Sequence, residues 1–529
     1  MNFFKRSLTL CALMGAVAAI QAEPHKIEHV LLISVDGLHS IDVTNYITAN
    51  PNSTLAALAK HGVRYDNAYI PSLSDSFPGL AALITGGSPV TTGFWYDVTY
   101  NRKLSPPALT TPYGIVGGAT LCPSVIGTQV GFDEEVDTDL TKLNGGGGIN
   151  PAYLPRDSTK GCAPVYPHSY LRVNTIFEVA HKAGLHTAWT DKHPSYEWVN
   201  GPSGVGVSDF YGPEINSIPV ALPGIAGCDP LPDPANATPT NAWTDSIQNI
   251  MCYDTLKVNA TINQVNGKTH DGSHKAPVPA IFGFNFQAVS VGEKLAGNGY
   301  ADQWGTPSAG LKSELDYVDS SIGRIWAAIK AANLDRSTVI IVTAKHGQSP
   351  IELAKVTKIP GSVPATVVGS SYAFDISDDA SLIWLNHPTD IDAVLPSLTE
   401  ATGEPTLGGQ EVFAGPTLIN RWDDPAVDER TPDIIVKVNT GVIFTGGSKI
   451  AEHGGLNEDD IHVGLLVSGP GIDSPVVFKG NVSTAQVAPS VLTLLGLDPN
   501  RLQAVQKEGV HALPVLPVHS DRDDGRDDQ

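Results

Sequence analysis

The chain has 529 residues, 41% of them apolar and 17% charged, enough apolar material for a large buried core and not the make-up of a collagenous or disordered chain. Its 55 Asp and Glu outnumber 33 Lys and Arg, a net charge of −22 that repels nucleic-acid backbones and excludes a nucleic-acid polymer as partner. A small phosphate-bearing substrate stays open, because a local cation can invert the field.

The first 22 residues read as an export signal: Lys5 and Arg6, an apolar run from Leu8 to Ala19, and a cleavage point at Ile20-Gln21-Ala22. That run is too short to span a bilayer, and no later stretch reaches the ~20 apolar residues of a membrane helix. The chain is expected to be periplasmic or secreted, without a membrane span. The mature chain carries 31 Lys and Arg against 55 acids, a net of −24. It keeps Cys122, Cys162, Cys228 and Cys252, whose spacing matches no zinc ribbon or redox motif. Disulfides are expected in an exported chain; three pairings are open, with Cys122–Cys162 and Cys228–Cys252 the nearest neighbours.

Short apolar, β-branched runs recur along the mature chain: His29 to Val35, Leu185 to Thr190, Ala280 to Phe284, Thr338 to Thr343 and Val463 to Ser468. Continuous apolar runs of this kind predict parallel strands covered on both faces. Helical periodicity lies between them, at Thr54 to His61, Leu80 to Ile84, Val173 to Ala183, Leu311 to Ala332 and Thr484 to Leu495. The alternation predicts an α/β fold with a mostly parallel central sheet and helices on both faces. Polar residues after each run then converge at one rim, where ligands of such sheets bind. Gly- and Pro-rich stretches near 104–168 and 200–278 read as insertions forming a cap on one domain spanning 23–517, and 518–529 as a disordered acidic tail.

Four elements at those strand ends carry chemistry. Asp36 follows the first strand, with Gly37 behind it, and offers a hard carboxylate ligand for a divalent cation. Ser76 stands before Pro78 at the start of a short helix, where backbone N–H groups and the dipole favour an alkoxide and a bound phosphate. His346 lies in Lys345-His346-Gly347 after another strand, and His453 lies in the loop Glu452-His453-Gly454-Gly455. Asp191 and His193 at a further strand end, with Asn285 and Gln287, are candidate additions: a ligand carboxylate, a general acid and two substrate hydrogen-bond donors.

The order of VDG near the start, Ser76-Phe77-Pro78 with TGG soon after, HG after a buried strand and a late Ala451-Glu452-His453-Gly454-Gly455 resembles the type I phosphodiesterase/nucleotide pyrophosphatase branch of the alkaline-phosphatase superfamily. The resemblance runs from about Ile27 to Leu497. It implies an alkaline-phosphatase-like fold and a phosphoric ester hydrolase acting on a small-molecule phosphate ester. It implies Ser76 as nucleophile, in the place where that family usually has threonine, and Asp36, His346 and His453 as metal ligands. The departures are specific. Lys345 stands where the family reads Asp before His-Gly, and Val289 and Glu293 stand where it carries Asp and His four apart. One divalent metal is therefore expected instead of two, zinc by its Asp/His ligation with Mn²⁺ or Ca²⁺ as alternatives, and Lys345 as the second cation. Glu293 is a candidate addition to the site. The alternatives are a sulfatase-like hydrolase, against which Leu80 stands in the place of the arginine of C/S-x-P-x-R, and an inactive relative acting as a binding module.

Overall fold

The computed structural model describes residues 26–133, 136–233, 242–403, 406–472 and 474–516. The expected export signal and acidic tail lie outside the described residues. Nine strands form the main sheet: β1 His29–Val35, β2 Gly62–Tyr69, β3 Ala188–Thr190, β4 Asp209–Tyr211, β5 Ile281–Phe286, β6 Thr338–Thr343, β7 His462–Val463, β8 Leu466–Ser468 and β9 Val476–Ser483. Their order is β7-β2-β8-β6-β1-β5-β3-β4, with β9 pairing β2. The centre is parallel, as expected from the continuous apolar runs: β1 is flanked by β6 and β5, and β3 joins β5 to β4. One side is not. β8 runs antiparallel to both β6 and β2, and β7 antiparallel to β2, so the sheet is mixed. The single strand expected over Val463 to Ser468 is broken between β7 and β8.

Alternate residues of β1 feed two cores. Val30 and Leu32 pack with Phe77, Leu80 and Ile84 on one face, and Leu31, Ile33 and Val35 pack with Leu311, Ile322 and Ile325 on the other. Each such side chain contributes roughly 1.5–3 kcal/mol on burial, which is why a strand buried on both faces reads as an unbroken apolar run. The helices over these faces are Ser76–Thr85 and Val487–Leu494 on the first and Ala309–Ala331 on the second.

Two features depart from the expected organisation. The stretch read as a second insertion ends in a helix, Ile247–Val265, whose Val258 and Val265 belong to the second core. Its buried Asp254 and Lys257 hide the apolar stripe that would have marked it. Residues 372–438 build a separate four-stranded antiparallel sheet with its own core around Ile383, Leu398 and Val436. The disulfides pair nearest neighbours, Cys122–Cys162 and Cys228–Cys252. Among the described residues no helix is long and apolar enough to cross a membrane.

Candidate active site

Residues from four segments meet beyond the carboxyl ends of β1, β5, β6 and β3. Asp36 follows β1 and is fully buried. Its Oδ1 accepts from Asn285 Nδ2 at 2.7 Å and its Oδ2 from Gln287 Nε2 at 2.6 Å. The two amides expected at substrate oxygens thus clamp this carboxylate. Burial alone would raise the Asp36 carboxyl, but Lys345, His346 and Lys192 around it outweigh that and hold it well below the usual carboxylate range.

Ser76 opens the helix Ser76–Thr85 but does not cap it: Asp75 is the cap, its Oδ2 accepting from Phe77 N at 2.8 Å. The serine hydroxyl is thereby left to the site. Lys192 Nζ donates to Ser76 Oγ at 3.0 Å, and His346 Nε2 lies 3.2 Å from the same oxygen. The helix can come this close to the loop after β6 only because residue 79 is glycine; a Cβ there would stand 2.0 Å from the Lys345 carbonyl oxygen.

The His346 ring sets its own tautomer. Nδ1 donates to the Gly347 carbonyl at 2.9 Å, which leaves Nε2 as a lone-pair nitrogen 3.3 Å from Asp36 Oδ2. Burial lowers its pKa and Lys192 adds to the effect, so the ring is neutral despite Asp36. The His453 ring lies on it, centroid to centroid 3.9 Å, with a buried Nδ1 that has no hydrogen-bond partner. Burial, then His346 and Lys294, push His453 well below the ordinary histidine range.

A carboxylate oxygen, a lone-pair imidazole nitrogen and a serine oxygen that face one another fit one divalent cation. The Lys192 ammonium stands 4.0 Å from Asp36 Oδ2, beside the Asn285 and Gln287 amides that hold this carboxylate. His453 flanks this centre without converging on it as closely. Among the described residues, the only trio of His, Cys, Asp or Glu whose ligand atoms all lie within 4.8 Å of one another is elsewhere: His39, Asp42 and Glu293.

The other sequence candidates have different partners from those expected. Lys345 is bound elsewhere: its Nζ donates to Asp191 Oδ1 at 2.7 Å and sits 4.4 Å over the Tyr196 ring. Asp191 is thereby committed, with Trp189 Nε1 on its other oxygen at 2.9 Å. The cation on the hydroxyl is Lys192 instead. Burial works against its charge, but Asp133, Asp36, Asp97 and Asp75 outweigh burial and raise its pKa above the ordinary lysine value. His193 is held between Asp133 (Nε2 to Oδ1 2.7 Å) and Glu214 (Nδ1 to Oε1 2.8 Å). These acids overcome burial and push it up to about 10, a fixed imidazolium and a poor proton donor at neutral pH. Glu293 points away from the site, accepting from Tyr300 at 2.6 Å beside His39, and Val289 is simply core.

Above these residues opens a cavity of about 610 Å³ whose lining includes Lys192, His193, Gln287 and His453. Its walls come from the base of the hairpin Val98–Asn101/Thr128–Gly131, the helix Ala288–Lys294, the second sheet at Ile376 and Asp378, and the loop 445–452.

Comparison with known proteins agrees with this architecture. The family model for type I phosphodiesterase / nucleotide pyrophosphatase matches residues 30–113 and 294–461. The matched segments hold Asp36, Ser76, His346 and His453; Lys192, Asn285 and Gln287 lie between them. Murine ectonucleotide pyrophosphatase / phosphodiesterase 5 superposes with a TM-score of 0.54 at 14% identity, over 89% of this chain and 96% of that one. The human protein of the same name gives 0.54 at 15%, over 89% and 95%. Wild-type alkaline phosphatase PafA gives 0.59 at 12%, over 90% and 97%. No curated protein sequence matches.

Proposed function

Because the chain belongs to the type I phosphodiesterase/nucleotide pyrophosphatase branch of the alkaline-phosphatase superfamily, whose members are phosphoric ester hydrolases, we propose that it cleaves a small-molecule phosphate ester by attack of Ser76 on phosphorus. The observation that carries this reading is the Ser76 hydroxyl, freed from capping by Asp75 and set between the Lys192 ammonium and the lone pair of His346.

The residues divide the work as follows. Asp36, His346 and Ser76 would hold one divalent cation, with His453 beside it. Bound there, the cation supplies Lewis acidity that lowers the pKa of the serine hydroxyl. Lys192 keeps its proton at all working pH and donates a charge-assisted hydrogen bond to Ser76 Oγ, which stabilises the alkoxide and then the charge on the phosphoryl oxygens. The positive end of the helix Ser76–Thr85 adds to the same field. Asn285 and Gln287 fix the Asp36 carboxylate in one orientation. The serine oxygen forms the new bond to phosphorus as the bond to the leaving alcohol breaks; water then cleaves the phosphoseryl intermediate and returns the hydroxyl.

In this reading one hydrolase domain spans residues 23–517, exported to the periplasm or beyond, in keeping with its two disulfides. Incubation of the purified chain with bis-p-nitrophenyl phosphate and with p-nitrophenyl phosphate tests it. Release of nitrophenolate that Ser76→Ala abolishes, with a phosphoryl adduct on the Ser76 peptide in quenched wild-type samples, is the expected outcome. No release with either ester at any divalent metal tried sinks the hydrolase reading.

A further inference from the structure

Attack by Ser76 on phosphorus calls for a proton on the far side of the reaction. The bond that breaks lies in line with the one that forms, so the departing oxygen points away from Ser76 into the cavity above it. An alkoxide leaving into that space needs a proton, and His193 on the cavity wall holds its own too tightly to give it. Glu452 is ionised between Lys294 and Lys449, and Asp378 Oδ2 accepts from the Tyr96 hydroxyl at 2.6 Å.

Asp97 is differently placed. It lines the same cavity as Asp133, Lys192 and His193. The hairpin brings it to Asp133: Asp97 precedes Val98, Asp133 comes two residues after Gly131, and Val98 and Gly131 pair across the ladder. The two carboxyl groups are hydrogen-bonded to each other, a contact that requires one proton between them. His193 Nε2 on Asp133 Oδ1 at 2.7 Å, with Lys192 nearby, keeps Asp133 ionised in spite of its burial. The shared proton therefore belongs to Asp97. Burial first, then the charges of Asp75 and Asp133 with Asp378 behind them, push this carboxyl well above the ordinary carboxylate range against the pull of Lys192. Its Oδ1 accepts from Val98 N at 2.7 Å, which leaves Oδ2 to carry the proton. A protonated and an ionised carboxyl side by side, driven apart by their surroundings, are the arrangement that supplies an acid at neutral pH.

We propose that Asp97 is the general acid that protonates the leaving alcohol. This rests on the hydrolase reading for the place of the phosphoryl group. As the phosphorus–oxygen bond breaks, its electron pair goes to the alcohol oxygen, which takes the Asp97 proton. The carboxylate so formed takes a proton from the water that attacks the phosphoseryl phosphorus, and the acid is restored. The serine proton leaves to solvent when the alkoxide forms and is regained when the phosphoseryl bond breaks. Nitrophenolate departs as an anion and ethoxide does not, so nitrophenyl and ethyl esters, each as monoester and as symmetric diester, test the step, with phosphorus NMR as the readout. Proton transfer by a positioned side chain contributes about 10²–10⁴-fold, so Asp97→Asn should lose at least about tenfold more activity on the ethyl than on the nitrophenyl ester of the same class. Asp378→Asn should not discriminate between them. A smaller difference in Asp97→Asn, or the same discrimination in Asp378→Asn, overturns the assignment. The wild-type chain gives a second reading without any substitution: ethyl esters should show a larger solvent deuterium isotope effect than nitrophenyl esters, and equal effects overturn the proposal. Wild-type turnover of nitrophenyl esters with none of ethyl esters also overturns it. No turnover of nitrophenyl esters sinks the hydrolase reading instead, so the two can fail separately.

Discussion

The Lys192 ammonium, beyond β3, donates to Ser76 Oγ at 3.0 Å, while Lys345, beyond β6, donates to Asp191 at 2.7 Å. Two lysines that look equivalent in sequence therefore do different things: one addresses the nucleophile and the other closes a buried ion pair.

Replacing each lysine separates the roles. Lys192→Met removes a preorganised donor to the reacting oxygen, a loss of the kind that costs about 10²–10³ in kcat. Steady-state kinetics on an aryl phosphate should show that fall, and Lys192→Arg should recover part of it. Lys345→Met leaves Asp191 buried and unpaired, which costs about 3–5 kcal/mol, so thermal melting should register it first. Equal kinetic losses in the two Met variants at unchanged stability would contradict this division.

The cation at Asp36 and His346 has its own signature. Mass spectrometry of the metal content of purified protein is expected to give about one divalent ion per chain, lost in Asp36→Ala. Gln287→Ala frees one carboxylate oxygen from its clamp and should weaken metal retention about 10- to 100-fold, as removal of such supporting partners does. Two tightly held ions per wild-type chain would overturn the one-metal assignment.

Much of this was legible before the structure. The central strands announced themselves because burial on both faces removes alternation, and Asp36, Ser76 and His346 stood out because each follows a strand or opens a helix. The choice between Lys192 and Lys345 was not legible, since it depends on side-chain direction across strand ends 154 residues apart in sequence. Gln287 and Asn285 were visible as polar residues at a strand end, but their partner Asp36 lies about 250 residues away. The antiparallel β7 and β8 escaped because a buried apolar run carries no mark of direction. The helix Ile247–Val265 escaped because Asp254 and Lys257, paired at 2.9 Å, sit on its buried face and break the apolar stripe.

Gly79 is a site where one methyl group tests the packing. A Cβ would lie 2.0 Å from the Lys345 carbonyl oxygen and 2.7 Å from its carbon, both backbone atoms that cannot rotate aside. Gly79→Ala must therefore separate the helix Ser76–Thr85 from the loop carrying Lys345 and His346. Overpacking of this kind costs about 1–3 kcal/mol, or more where backbone must shift. The expected result is a melting temperature lower by several degrees together with a loss of activity, even though alanine is the better helix former. A variant as stable and active as wild type would show that the loop gives way freely.

His193 makes the stability of the protein depend on pH. Its imidazolium, between Asp133 and Glu214, keeps its proton up to about pH 10, whereas an unfolded histidine releases it near 6.5. Over that interval the folded state binds more protons, so the contribution is complete below about pH 6.5 and is lost as pH rises through 10. Asp137 slopes the same way from a lower starting point, because burial first and then Glu214 push it up to about 9 against about 4 in an unfolded chain. Thermal melting between pH 6 and 10 should therefore show a steady fall. His193→Gln should lower the melting temperature most at pH 6.5 and flatten the part of the fall above pH 9, where Asp137 no longer contributes. Parallel curves for the two proteins would mean that His193 does not hold its proton over this range.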